Sequence, residues 1–465
     1  MFDAPLPYER LLATALARGG DYADIYVQRT RSRSLSYEEG KVKRASESLR
    51  QGVGIRVQQG DATGYAVCEE ADTDLLLAAA RRAAAIAASG GLPAGTTSLS
   101  SRAVPSRYAQ ERPLEQGTLQ ERIAYARRAS QQVSARDARA QWISVNVSDQ
   151  LDQVTIATSD GILVTDTRPR LWVGISVTGA VAERRESIYH SIGLAGGMEV
   201  LDRHSPEGLA DEALRRLDVR LRAIESPAGE MPVVIARGTG GTMIHEAVGH
   251  GLEADFNRKG VSAYSGKIGE MVANPLVTVF DRGDLPGDIG ALNVDDEGII
   301  PGETTLIEQG RLVGYLNDRL SARILGVSPS GNGRRQDYSH VPHPRMRITG
   351  LAAGQDAPQD IIAGVAKGLY VSVIGGGSVD ITKGDFNFQV EEAFLIEDGR
   401  LTAPVRGACL IGNGPEVMRR ITRLGNDLLM MESGGHCGKF GQGVPVGQGC
   451  PTTLISQMVV GGSRS

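Results

Sequence analysis

The sequence predicts an α+β protein: an N-terminal α/β domain with strand sheets and helices over residues 1–228, then a β-rich domain over 229–465 carrying one conspicuous helix. Three observations predict it. Strand-like and helix-like runs alternate through the first 225 residues, the composition shifts at Glu225–Pro232, and past that point short apolar runs follow one another almost without helical spacing. Length agrees, because 465 residues exceed what one ordinary core serves. Glycine supplies 59 of them, about 13% against a usual ~7%, with no collagen period. That points to tight turns and strands in close contact.

Tyr8 to Arg18 has the spacing of a short helix. Strand runs follow at Asp24–Val27, Ser34–Tyr37, Val53–Val57 and Gly64–Val67. Asp72 to Ser89 is rich in Ala, Leu and Arg, all strong helix formers, and ends in a Gly90–Pro93 loop that continues to about Pro113. Thr118 with Glu121 is a capping box opening a helix to about Val133. Strands resume at Trp142–Val147, Gln153–Thr158, Gly161–Thr167 and Trp172–Thr178. Ser205-Pro206 then opens a helix with Leu209, Ala213, Leu217 and Leu221 on one stripe. Glu39-Gly40 followed by Val53–Val57 is echoed by Asp160-Gly161 followed by Val173–Val177. A duplicated strand unit and a chance recurrence of hairpins explain this equally well. In the second part strands are expected at Val233–Ala236, Leu276–Phe280, Leu306–Tyr315, Tyr370–Ile374 and Val390–Ile396, with a tight hairpin at Glu397–Arg400.

Hydrophobic residues make up 41% and charged residues 23%, a soluble, globular balance. The net charge of −5 argues against nucleic acid as a partner, since phosphate neutralisation needs a basic face. Leu75–Ala88, the most apolar stretch, contains Arg81 and Arg82 and is too short to span a membrane. Met1–Pro5 does not open a basic-then-apolar leader. Four cysteines in so long a chain do not build a disulfide framework, and a reduced, cytoplasmic setting is expected.

Two of the seven histidines lie in Gly240–Glu253, the conspicuous helix, with Glu246 directly after His245. Zinc hydrolases of the common helical type place their histidines four apart, on one face. Here His245 and His250 are five apart, which in a regular helix swings the second ring by roughly 140°. One wide turn, or an early helix end, would bring both to one ion, and Gly249 and Gly251 ease either distortion. Glu246 could then take the proton from attacking water. A third ligand is needed, and Cys437, in the glycine-rich run Glu432–Gln442, would complete a His/His/Cys set for Zn2+.

The plainer readings are that a His-Glu pair on a helix faces solvent and that Cys437 is an inert buried thiol. Cys68 and Cys409 read as core, and Cys450 remains open. Tyr264, His340 and His343 are unranked candidates for stabilising an oxyanion. A phosphate loop at Gly434–Lys439 is rejected on glycine spacing and the missing hydroxyl residue.

These residues resemble a known family, the TldD/PmbA peptidases, and its TldD branch in particular. The resemblance rests on His245–Phe256, Asn293–Gly298 and Cys437–Val446, and runs through most of the chain. It implies a zinc-dependent peptidase with His245, His250 and Cys437 as ligands and Glu246 as general base. It implies cleavage of small or unfolded polypeptides, as in trimming peptide antibiotics and degrading labile antitoxins. It also implies a dimer, either with a PmbA-type (TldE) subunit that lacks the metal motif or with a second copy, enclosing the site. Cys450 has no match in the family pattern and leaves the third-ligand assignment open. Two other functions stay in view: a non-catalytic scaffold subunit, and a metal-dependent amidase acting on non-peptide substrates.

Overall fold

The computed structural model describes residues 6–88, 94–108 and 110–462. Met1–Pro5, Ser89 at the end of the second predicted helix and the Gly90–Pro93 loop lie outside the described residues. The protein is mixed α and β throughout, as expected. Its first part begins with α1 (Tyr8–Leu16), followed by β1 (Tyr22–Glu38), β2 (Lys41–Gln59), β3 (Ala62–Cys68) and α2 (Thr73–Ala87). The same order then recurs: α3 (Leu119–Arg136), β4 (Ala140–Thr158), β5 (Ile162–Val181), β6 (Arg184–Leu194) and, after one short helical turn, α4 (Pro206–Arg222). The two sets join where β1 pairs antiparallel with β4, giving one sheet in the order β3-β2-β1-β4-β5-β6. The sequence echo thus falls on equivalent hairpins: Glu39-Gly40 turns β1 into β2, and Asp160-Gly161 sits between β4 and β5.

Local chemistry explains the helix ends. Asp72 accepts from the amides of Asp74 and Leu75, and Thr118 and Glu121 form the reciprocal capping box. Ser205 caps α4, whose Leu209, Ala213, Leu217 and Leu221 are all buried. All four helices cover one face of the sheet. Ile25, Leu35 and Tyr37 of β1 point to that face, whereas Tyr26 points to the other. That second face meets the C-terminal part through Val294 and Tyr338, and through buried charge. Arg56 bridges Asp24 and Glu297, Arg168 reaches Asp296 at 2.6 Å, and Arg335 reaches Asp24 at 3.2 Å. The Asn293–Gly298 motif therefore braces the first part against the C-terminal part.

In the C-terminal part, Gly229–Ile235, Lys367–Asp380, Asp385–Glu397, Cys409–Asn413 and Thr453–Gly461 pair in a ring, closing a small barrel. A second sheet carries Glu303–Glu308, Val279–Arg282, Ile348–Leu351 and Gln442–Cys450. The Asp398-Gly399 hairpin is present, with both residues at positive φ (48° and 73°).

Four expectations need correction. Asp24–Val27 with Ser34–Tyr37, Trp142–Val147 with Gln153–Thr158, and Gly161–Thr167 with Trp172–Thr178 each fall on one long strand, and β6 had no counterpart among the runs. Leu306–Tyr315 is no single strand, because the chain turns at Gln309-Gly310 between Glu303–Glu308 and Arg311–Leu312. Leu276–Thr278 precedes its strand, because Asn274 turns the chain through bonds from Leu276 and Val277. Cys68 and Cys409 are partly buried: Cys68, opposite the buried Val53, packs on the edge of the helix-covered core and bonds the Glu70 carbonyl, whereas Cys409 faces outward and bonds Asn387. Among the described residues no helix is long and apolar enough to cross a membrane.

Candidate metal centre

The helix begins as an ordinary α-turn over Gly240–Ile244, widens into a π turn over His245–Gly249 and tightens over His250–Leu252. The amide of His250 donates to the carbonyl of His245, five residues back. That single wide turn offsets the 140° swing, so both imidazoles face the same way, with ring centroids 5.1 Å apart and planes at 89°. The turn is held by packing. A Cβ on Gly249 would stand 1.9 Å from Sδ of the fully buried Met346. Ile244, Ala247 and Val248 on the other sides belong to the main core of this part.

Cys437 arrives from the strand Gly435–Lys439, which hairpins back into Gln442–Cys450. Its Sγ lies 3.3 Å from His250 Nε2, and one ligand atom from each of His245, His250 and Cys437 falls within 4.8 Å of the others. All three residues are buried. Burial by itself raises a thiol, but the two imidazoles outweigh it and hold Cys437 well below the usual thiol range.

Beyond the three donors lies a chain of charge that the sequence did not disclose. Glu253 Oε2 meets His250 Nδ1 at 3.0 Å and Lys439 Nζ at 3.0 Å, and Lys439 also bonds Asp255 at 2.7 Å. Burial raises Glu253, yet Lys439 and then His250 overcome it and bring its carboxyl to about 2. Glu253 thereby fixes the ring of His250 with Nε2 turned to Cys437. Arg345 anchors the strand by donating to the Cys437 carbonyl at 2.5 Å. The signal for Glu253 was present, three residues after His250 on the same turn. Lys439 and Arg345 are distant in sequence and gave none.

Glu246 Oε2 stands 3.9 Å from His250 Nε2, with its side chain 23% exposed. Burial raises its carboxyl above the usual value, and His245 and His250 offset this only in part. Tyr264 lies elsewhere: it is buried, packs on Gly251 and points its hydroxyl at the Ala247 carbonyl, supporting the wide turn. His340 is tied to Asp337 at 2.8 Å on a loop. His343 packs edge-on to Phe440, at the tip of the Cys437 hairpin. Cys450 points its sulfur at the Ala236 carbonyl and packs against Gly240, where burial pushes it up to about 12.

The donor set fits a tetrahedral metal such as zinc. Two imidazoles and a thiol whose acidity favours thiolate are the right ligand types, and the sulfur–nitrogen approach is that of two ligands on one ion. His245 Nδ1 is buried with no hydrogen-bond partner among the described residues, an expensive state for a polar atom outside a ligand set.

A mixed α/β chain with a helix-borne His-Glu pair and a hairpin cysteine converging in this way has the make-up of a metallopeptidase. The PmbA/TldA metallopeptidase domains match it in order: domain 1 over residues 23–87, the central domain over 112–221 and the C-terminal domain over 228–462. The "Metalloprotease TldD homolog" of Haemophilus influenzae is 40% identical over 96% of this chain and 94% of its own length. The chain belongs to the PmbA/TldD metalloprotease family. Two solved structures share its fold. A Thermotoga maritima protein, whose name proposes that it modulates a DNA gyrase, has a TM-score of 0.80 at 21% identity, covering 97% of this chain and 99% of its own. TldE from Thermococcus kodakarensis has a TM-score of 0.76 at 19% identity, covering 97% and 99%.

Proposed function

We propose that the protein is a zinc-dependent peptidase hydrolysing peptide bonds in small or unfolded polypeptides in the cytoplasm. His245, His250 and Cys437 hold the ion, and Glu246 is the general base. The observation that carries this reading is the meeting of the three donors beside a half-buried glutamate from the same wide turn. Zinc bound there supplies a Lewis acid for the scissile carbonyl and acidifies attacking water. Glu246 takes that proton on its carboxylate and passes it to the leaving amine. Its raised affinity for protons suits a group that must accept and release one. Glu253 keeps the His250 ring oriented, and Lys439 keeps Glu253 ionised.

A cleft of about 610 Å³ runs along the helix, lined by Thr239, Thr242, Ile374, Leu429 and Met431. Thr242, on the cleft wall, lies four residues before Glu246 on the same helix. The two-part division at residue 228 belongs to the same reading, with the metallopeptidase part following it. So does assembly with a TldE-like, PmbA-type subunit or a second copy; the shared fold with TldE supports the first, and size measurement with each co-expressed subunit separates them.

The test is metal analysis together with casein cleavage by the wild type and Glu246→Gln. One zinc per chain in both, with cleavage lost in the variant, is expected. Absence of stoichiometric metal together with unchanged cleavage in Glu246→Gln overturns the reading in favour of a scaffold, and unchanged cleavage with zinc bound overturns Glu246 as the base. Turnover of small non-peptide amides with none of casein overturns the substrate class.

A further inference from the structure

Along the strand Gly435–Lys439 the side chains alternate: Cys437 and Lys439 are buried toward the helix, and His436 points to the opposite side. There it lines a second cavity, of about 330 Å³, between the strand hairpin and the free face of the N-terminal sheet. Four arginines on the cavity wall, Arg168, Arg170, Arg334 and Arg335, are each at least nine-tenths buried. Two of them are neutralised, Arg168 by Asp166 and Asp296, and Arg335 by Asp24. Arg170 pairs with Asp152, and Arg334 stands apart from this pattern.

Arg334 has no carboxylate within ion-pair distance among the described residues. It donates only to the carbonyls of Met346 and Pro445, at 2.6 and 2.7 Å. Arg170 spends one terminal nitrogen on Asp152 at 2.7 Å, and Asp152 is shared with Gln28, Thr30 and Gln150. Of the remaining acids on the wall, Asp296 is taken by Arg168, and Asp337 by Ser339, His340 and Arg50. Burial holds the Arg334 guanidinium down to about 9, and the field of Asp296 offsets this only in part.

We propose that this cavity binds a carboxylate group between Arg170 and Arg334, beside His436. Arg334 is the wall arginine without a carboxylate of its own among the described residues, and Arg170 spends one terminal nitrogen on Asp152, an arrangement that suits a single carboxylate held between two guanidinium groups. The group has two possible sources, a free small organic acid or the end of a peptide. A polar groove lined by Ser32, Gln150, Trp172 and His436 joins this cavity to the cleft along the metal helix through Tyr189, Ser191 and Ser433. A peptide carboxylate seated between the arginines would leave its chain running toward that helix. The site itself rests on the cavity; only the peptide source rests on the peptidase reading.

Calorimetric titration of the Glu246→Gln protein, which keeps the fold without turnover, tests it at constant ionic strength. The probes are acetate, N-acetyl hexa-alanine with a free C-terminus, and the same peptide as its C-terminal amide. Saturable acetate binding, or a preference of about tenfold or more for acid over amide, is expected. Acetate binding alone assigns the site to small acids; the peptide preference assigns it to chain ends. Added Arg170→Gln should abolish either signal. Added Gln150→Glu, which leaves the arginines in place and brings a negative charge to the wall, should do the same and decides the matter if the first variant misfolds. No saturable acetate binding together with equal affinity for acid and amide overturns the proposal. So does wild-type-like binding in the folded variants. Casein cleavage is untouched by either failure, so the peptidase reading is judged separately.

Discussion

Gly249→Ala probes the wide turn directly. The added Cβ would sit 1.9 Å from Met346 Sδ, where ordinary contact begins at 3.4 Å, so something must move by about 1.5 Å. Met346 is fully buried and cannot swing into solvent. Overpacking of this kind costs about 1–3 kcal/mol. The cheaper escape is for the wide turn to relax, which carries the His250 ring away from Cys437. Metal–ligand distances tolerate only about 0.2 Å, so zinc affinity should fall by about tenfold to a hundredfold. Urea unfolding and zinc competition with a chromophoric chelator measure the two effects. Met346→Ala, alone worth about 2–5 kcal/mol as a cavity, should become less costly in the Gly249→Ala background, by about 1–3 kcal/mol of coupling. If Gly249→Ala keeps parental stability and zinc affinity, or the two substitutions simply add, the turn is not held by this contact.

Cys437→Ser should lose zinc and Cys450→Ser should keep it, read by metal content after dialysis; the reverse means the ion takes the other thiol. Lys439→Met leaves the buried Asp255 without its ion-pair partner and Glu253 with only His250 and the more distant Arg345, and should cost about 3–5 kcal/mol in urea unfolding. Its zinc affinity should fall as well, through the loosened His250 ring. Asp288 is raised to about 6 by burial, so the folded chain holds a proton that the unfolded chain has released between about pH 4 and 6. Stability therefore falls as pH rises through that window, by about 3 kcal/mol from this group. Asp288→Asn should flatten unfolding free energy against pH there, and an unchanged slope would show that the carboxyl is not the source.

Local chemistry was legible in the sequence and long-range chemistry was not. The caps at Asp72, Thr118 and Ser205, the stripe of α4 and the Asp398-Gly399 turn are decided by residues within a few positions of one another. The five-residue histidine spacing was legible for the same reason, since a π turn is the local solution to it. The middle of β1 was missed because Gln28–Arg33 carries no apolar alternation. Those residues are held by side chains from other strands: Thr30 on Asp152, Arg31 on Glu47 and Arg33 on Asp149. The same holds for Arg56, whose partners Asp24 and Glu297 lie on either side of it by 32 and 241 positions. Around the donors, Glu253 was within reach of a local reading, whereas Lys439 and Arg345 become visible only once the hairpin docks.

His250 and Cys437 are separated by 187 positions along the chain. A polypeptide that stops between His250 and Cys437 has both imidazoles and lacks the sulfur that would join them. On the proposed ligand set, the site is therefore completed only once this late hairpin has been made. Conversely, a bound ion would staple the hairpin to the distant helix, so a chelator should speed unfolding as well as silence the enzyme.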